Sequence, residues 1–189
     1  MSACYMLLFR DILKNMKTET AVRAALAGRA HEIGVIETSA LVFFPELYNA
    51  CAANLCGNYN KCWTCPPSVG TLEAQQEKIL RWKYALVFTT KIDLEDTFDI
   101  EGMEKGHKIH NSLTADIREQ FGACSIYGAG GCKVCDVCAY PEPCRFPDRA
   151  VSAIEAAGIS VTDLSRTAHL KYNNGPNTVT YFSMLLFNE

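Results

Sequence analysis

An α/β or α+β sandwich, a mixed sheet with helices packed on it, is the fold class that this sequence predicts. Two observations lead there. Segments with helical spacing of apolar residues alternate along the chain with short runs of strand composition. The segment Thr178–Phe187 is also apolar on both faces toward its end, as expected of a strand inside a sheet. A third observation points to the functional end: the chain has ten cysteines, most of them in two loop-like stretches. Both cysteine loops are expected to meet at one edge of the sheet.

The elements follow in order. Residues 11–33 read as a helix, with Ala21, Ala24, Ala25 and Leu26 among charged positions, stopped by Gly34. Residues 35–44 alternate and end at Pro45, which predicts a strand. Residues 51–67 are rich in Asn, Gly and Pro and read as a loop. Thr71 is the expected N-cap of a helix over 72–82, where Leu72, Ile79 and Leu80 share helical spacing. Residues 84–90 have strand composition. Residues 97–121 read as one long helix with Gly102 and Gly106 as weak points and Gly122 as its end.

A short strand is expected over 124–127, running into Gly128-Ala129-Gly130-Gly131, and the second cysteine loop spans 132–144. Residues 149–157 read as a helix stopped by Gly158. Residues 159–161 are expected to be extended, with Asp163 capping a last helical turn or two. No internal repeat or low-complexity tract interrupts this order.

Composition narrows the function classes. A chain of 189 residues, 49% hydrophobic and 21% charged, suits one globular domain over residues 1–189. The formal net charge is -3 with charges interspersed. No Lys/Arg cluster marks a nucleic-acid face and no polybasic stretch marks an anionic membrane surface. The longest apolar runs, residues 41–44 and 184–187, are far too short to span a bilayer. Arg10, Asp11 and Lys14 break up the apolar N-terminal stretch, which lacks the layout of a signal peptide, so the expected location is the cytoplasm. In a reducing compartment, clustered cysteines point to metal or catalysis rather than to disulfides.

The sharpest pattern is Cys132-Lys-Val-Cys135-Asp-Val-Cys138 with Cys144 behind Pro143. A 4Fe–4S cluster is a cube with four iron corners, each needing a thiolate, and two-residue gaps let one loop wrap three of them. The glycines before Cys132 would let backbone amides approach the cluster sulfurs. Structural zinc usually takes two ligands from each of two separated knuckles, so three cysteines within seven residues favour iron–sulfur over zinc.

The other pattern is Cys51, Cys56, Cys62 and Cys65, the last followed by Pro66-Pro67. Its spacing suits zinc almost as well, but eight cysteines in two groups match the ligand count of two 4Fe–4S clusters. Cys4 and Cys124 read as buried small hydrophobes. His107 and His110 share a helical face at i, i+3, read as solvated. Arg145 and Arg149 are candidates to offset cluster charge, or to pair with Asp148 or Glu155. Dinucleotide, P-loop, serine-hydrolase, zinc-protease and C-x3-C-x2-C signatures are absent from the sequence.

At these residues the chain resembles a family of small, cysteine-rich, predicted metal-binding proteins of unknown function, mainly from anaerobic bacteria and archaea. The resemblance rests on Cys51 and Cys56 followed by Trp63-Thr64-Cys65-Pro66-Pro67. It rests equally on Cys132, Cys135 and Cys138 followed by Pro143-Cys144-Arg145-Phe146-Pro147, and on residues 155–161. It runs from about Val35 onward and implies Cys51, Cys56, Cys65, Cys132, Cys135, Cys138 and Cys144 as metal ligands. Cys62 stands where the family pattern has another residue.

Three functional readings remain open. The first is an electron-transfer or accessory iron–sulfur protein, serving a redox partner protein or small molecule. The second is an enzyme with an open iron acting as Lewis acid or sulfur acceptor. The third is a zinc-binding interaction module. One or two 4Fe–4S clusters are the expected cofactors, with zinc as the alternative.

Overall fold

Two ten-residue strands, β2 (Tyr84–Asp93) and β5 (Thr178–Phe187), pair antiparallel along their whole length, from Tyr84 opposite Phe187 to Asp93 opposite Thr178. They form the centre of the computed structural model, which describes residues 18–188. β1 (Ile33–Glu37) lies antiparallel beside β2, and β3 (Ser125–Gly128) antiparallel beside β5. β4 (Ser152–Ala153) runs parallel to β3, so the mixed sheet has the order β1-β2-β5-β3-β4.

Helices α1 (Thr18–Leu26), α2 (Pro45–Ala50), α3 (Leu72–Leu80), α4 (Ile100–Gln120) and α5 (Val161–Thr167) complete the expected α/β arrangement. Strand alternation divides the apolar side chains between two cores. Leu86, Phe88, Ile126, Leu185 and Phe187 pack with Val22 and Leu26 of α1 and Leu113 and Ile117 of α4. Ala85, Val87, Tyr127, Met184 and Leu186 pack with Ile79 of α3 and Leu164 of α5. Both faces of the central strands are thus covered, which explains the apolar character of β5. Among the described residues no helix is long and apolar enough to cross a membrane.

Several boundaries differ from expectation for identifiable reasons. Residues 11–17 of the expected first helix lie outside the described residues. Its described part ends at Leu26, and Gly28 takes a φ of 71°. Gly34 is no helix stop. It sits inside β1, where a Cβ would run into the carbonyl oxygen of Ala168. The strand expected over 35–44 ends at Glu37, and Pro45 opens α2, where its fixed φ suits a first helical turn. β2 continues past Thr90 to Asp93 because β5 offers partners that far.

The helix expected over 149–157 is absent. Ser152 and Ala153 form the edge strand β4, opposite Tyr127 and Gly128, and only Glu155–Ala157 turns, as a single 3-10 turn. Sheet pairing overrides the helical preference of the alanines there. Ser160, not Asp163, caps α5: its hydroxyl accepts from the Asp163 N–H at 3.2 Å. Gly102 and Gly106 do not weaken α4. The Asp99 carboxylate caps the helix on the Gly102 N–H at 2.8 Å, and a Cβ on Gly106 would lie 2.6 Å from Ile92 of β2.

The chain between β1 and α2 decides where the first cysteine loop goes. After the turn Thr38–Ala40, Leu41 and Phe43 pass under the sheet, against the core that holds Ile154 and Ile159. Phe43 forms an isolated antiparallel bridge with Ile159, and the Phe44 N–H donates to the Gly158 carbonyl at 2.7 Å. The segment therefore leaves one edge strand, β1, and docks next to the other, β4. Gly158 makes the junction possible. Its φ is 74°, and a Cβ would meet Leu72 and come within 3.4 Å of the Phe44 carbonyl oxygen. A Gly158→Ala variant is expected to lose at least about 1 kcal/mol of stability from the left-handed backbone alone, seen as a lower urea midpoint.

His110 does not lie on a solvated face. It is 0% exposed, with Nδ1 3.0 Å from the Thr90 hydroxyl and Nε2 2.8 Å from that of Ser183, which in turn lies 2.8 Å from Thr114. Desolvation lowers its pKa from 6.5 to about 4. The unfolded chain then takes up a proton below pH 6.5 that the folded chain refuses until about 4. This contribution to stability, on the order of 3 kcal/mol, is complete above that window and disappears as the pH falls through it. NMR of the His110 ring at pH near 5 should show the neutral form; a titration midpoint at the unfolded value would contradict the packing.

Candidate metal centre

The second cysteine loop connects β3 to the edge strand β4, so the sheet fixes both of its ends. The first loop arrives from α2 through the turn Cys51–Ala53 and leaves into α3, whose Thr71 cap accepts from Ala74 N–H as expected. The two loops are tied together directly. The Trp63 indole N–H donates to the Glu142 carbonyl at 2.8 Å, and the Tyr140 hydroxyl donates to Asn60 at 2.9 Å. The Trp63 and Tyr140 rings meet edge to face with centroids 5.0 Å apart.

Inside this clamp, Cys62, Cys132, Cys135, Cys138 and Cys144 line one cavity, together with Trp63, Thr64, Arg145 and Phe146. Among the described residues, neither imidazole nor carboxylate lines it. Cys62 and Cys65 are buried, and Cys132, Cys135, Cys138 and Cys144 are half-buried. Cys65 lies just behind the cavity: a Cβ on Gly131 would come 3.6 Å from its sulfur and 2.9 Å from Asn58. Glycine before Cys132 thus lets the second loop's backbone lie against a first-loop thiol.

Cys62 is the electrostatic centre of the group. Hydrogen bonding from the Cys65 thiol, then from Thr64 (hydroxyl at 3.2 Å) and Cys138, outweighs desolvation and pulls its pKa down to about 5. Cys65, the donor in that pair, is pushed far up by the same bond and by burial. Burial also raises Cys132 and Cys51. A thiol biased toward its thiolate and ringed by other thiols is a donor set suited to a thiophilic metal.

Cys51 and Cys56 stand apart from the cavity lining, Cys56 exposed and Cys51 half-buried. Cys56 is nonetheless near enough to raise the pKa values of both Cys51 and Cys65. Among the described residues, no three His, Cys, Asp or Glu side chains are gathered tightly enough for a single metal ion. The thiols ring a space instead of converging on a point.

Other expected roles resolve differently. Cys124 is half-buried against the core of α1 and α4, in keeping with a small hydrophobe, while Cys4 lies outside the described residues. Arg145 lines the cavity and donates to the Val137 carbonyl, and Arg149 lies over the Phe146 ring at 6.0 Å. Neither pairs with Asp148 or Glu155 among the described residues. Glu155 is instead turned inward, where burial raises its pKa and its charge in turn raises that of Cys51. His107 serves the loop from outside, its Nε2 2.9 Å from the Ala129 carbonyl. Asn58 and Tyr140 carried no signal in the sequence, Thr64 only that of the Trp63-Thr64-Cys65 run, and Glu155 only that of the 155–161 run and of an arginine's partner.

The model of a family described as predicted metal-binding protein (DUF2284) matches residues 34–187. The chain belongs to this family. The match covers both cysteine loops and all of the sheet but Ile33, so the family's description as predicted metal-binding applies to the body that holds the thiol cavity. No curated protein and no solved structure matches the chain.

The clamp between the loops makes a local prediction. Trp63→Phe keeps the ring and loses one hydrogen bond, worth on the order of 1 kcal/mol. Amide exchange across residues 132–146 is expected to quicken by about fivefold, while exchange in β2 and β5 stays unchanged.

Proposed function

We propose that this protein is an iron–sulfur protein of the 4Fe–4S type that passes electrons to a redox partner. The observation that supports this best is the convergence of five thiols from two loops on one cavity that, among the described residues, no imidazole or carboxylate lines. Cys132, Cys135, Cys138 and Cys144 are the expected ligands of one cluster, because their spacing suits one loop folded around a cube. Cys51, Cys56, Cys65 and Cys62 form the neighbouring set and are the expected ligands of a second. A cluster so held supplies one electron at a time at a potential set by its surroundings.

The chain's own residues account for the rest. The Gly131 backbone lies against the Cys65 thiol, and Arg145 brings positive charge to the cavity that the other thiols line. The Trp63–Tyr140 contact keeps the loops closed and limits water. Two exposed apolar side chains flank ligand positions, Leu55 (96%) beside Cys56 and Val137 (76%) beside Cys138. Such residues suit a protein partner that must approach a cluster closely.

Protein purified without oxygen should be brown, contain iron and acid-labile sulfide in equal amounts, and bleach with dithionite. Cys138→Ser should lose a large share of that iron, whereas Cys124→Ser should keep all of it. A colourless protein with stoichiometric zinc would overturn the reading.

A further inference from the structure

A second cavity, about 250 Å³, opens at the start of β3, on the far side of Ala150 from the thiols; Ala150 lines both. Its walls come from four elements. α3 contributes Lys78 and Trp82 follows it, α4 contributes Arg118, β3 contributes Ser125 and Tyr127, and β4 contributes Ser152. Among the described residues, no acidic side chain lines it. Two cations therefore face one concave space, and neither makes an ion pair among the described residues.

The two charges are held in different ways. Arg118 is anchored by Nε to the Asp148 carbonyl at 3.1 Å and by Nη1 to the Cys124 carbonyl at 3.5 Å, which leaves Nη2 to donate elsewhere. Lys78 stands with its ammonium 5.9 Å from the centroid of the Tyr127 ring. The Tyr127 hydroxyl is committed to Gln75 at 3.0 Å, so that ring stays in place under the ammonium. Burial and the proximity of Arg118 both lower the pKa of Lys78, as expected of a cation with no counter-charge.

Keeping two like charges near each other without a carboxylate costs stability unless something negative joins them. We propose that this cavity is a binding site for a small organic anion. Its phosphate or carboxylate group sits between Lys78 and Arg118, within reach of Ser125 and Ser152, and its apolar part lies along Trp82. The chemistry is that of anion recognition in general: a fixed guanidinium, a mobile ammonium and neutral hydroxyls, with one aromatic wall for orientation. The site is independent of which metal the thiols hold, since none of these side chains lines the thiol cavity.

Phenyl phosphate and benzoate, with inorganic phosphate beside them, are suitable probes for titration calorimetry of the intact protein at constant ionic strength. Saturable millimolar or tighter binding of phenyl phosphate or benzoate is expected, weaker by about tenfold in Lys78→Met, which loses one charge-assisted hydrogen bond. Lys78→Arg should regain most of it, and Trp82→Leu should weaken the aromatic probes but not inorganic phosphate. The tighter of phenyl phosphate and benzoate identifies the anionic group. No saturable binding of either aromatic probe, or equal affinity in Lys78→Met and the parent protein, would overturn the proposal. Arg118 is left intact because its backbone contacts also hold the loop after α4.

Discussion

Everything at the thiol cavity depends on one junction, the contact of Phe43 and Phe44 with Gly158 and Ile159. The two cysteine loops are far apart in the chain and leave opposite ends of the sheet order. Without the crossing segment, the first loop would hang beside β1 and the second beside β4. One bridge and one short hydrogen bond, possible because position 158 has no side chain, bring the first loop's Cys62 to the cavity that four cysteines of the second loop line. The apolar contacts of Leu41 and Phe43 with the core beneath the sheet supply the driving force, since hydrophobic burial outweighs a single bond.

The central sheet gives that junction something rigid to lean on. β2 and β5 are buried on both faces, so their register is tightly specified: a slip of one residue would move every core side chain into the opposite core, where the helices are packed around others. β4 is only two residues long, yet it fixes the return of the second cysteine loop and forms part of the anion cavity. Ala150, just before it, stands between the two cavities. Charge is distributed across this region unevenly: thiols on one side and, on the other, two cations without an ion pair among the described residues.

The polar groups away from the cysteines have structural work. His110 fills a dry space between α4 and the sheet and satisfies its ring nitrogens with hydroxyls from Thr90 and Ser183. A helical face bearing two histidines looks identical in sequence whether it meets water or a sheet. What distinguishes them here is the row Gly106, His110, Leu113, Thr114 and Ile117, all buried on one side of α4. The row belongs to the core, and the histidine goes with it.

Much of the fold was written in local pattern. The long strand Thr178–Phe187, the helix capped by Thr71, the glycine stop at 158 and the two cysteine-rich loops are all legible from spacing, caps and composition, because each depends on neighbours in the chain. The grouping of cysteines within each loop was legible too, since spacing along a loop is a local property. Tertiary structure alone decided the rest. It made residues 152–153 an edge strand against an alanine-rich preference, cut the strand after Glu37 to form the crossing, and turned Glu155 toward Cys51 instead of toward an arginine. It also brought Lys78 and Arg118 together from helices on opposite faces of the sheet. Those outcomes rest on long-range packing and pairing energies that exceed local propensity, and no short window of sequence contains both partners.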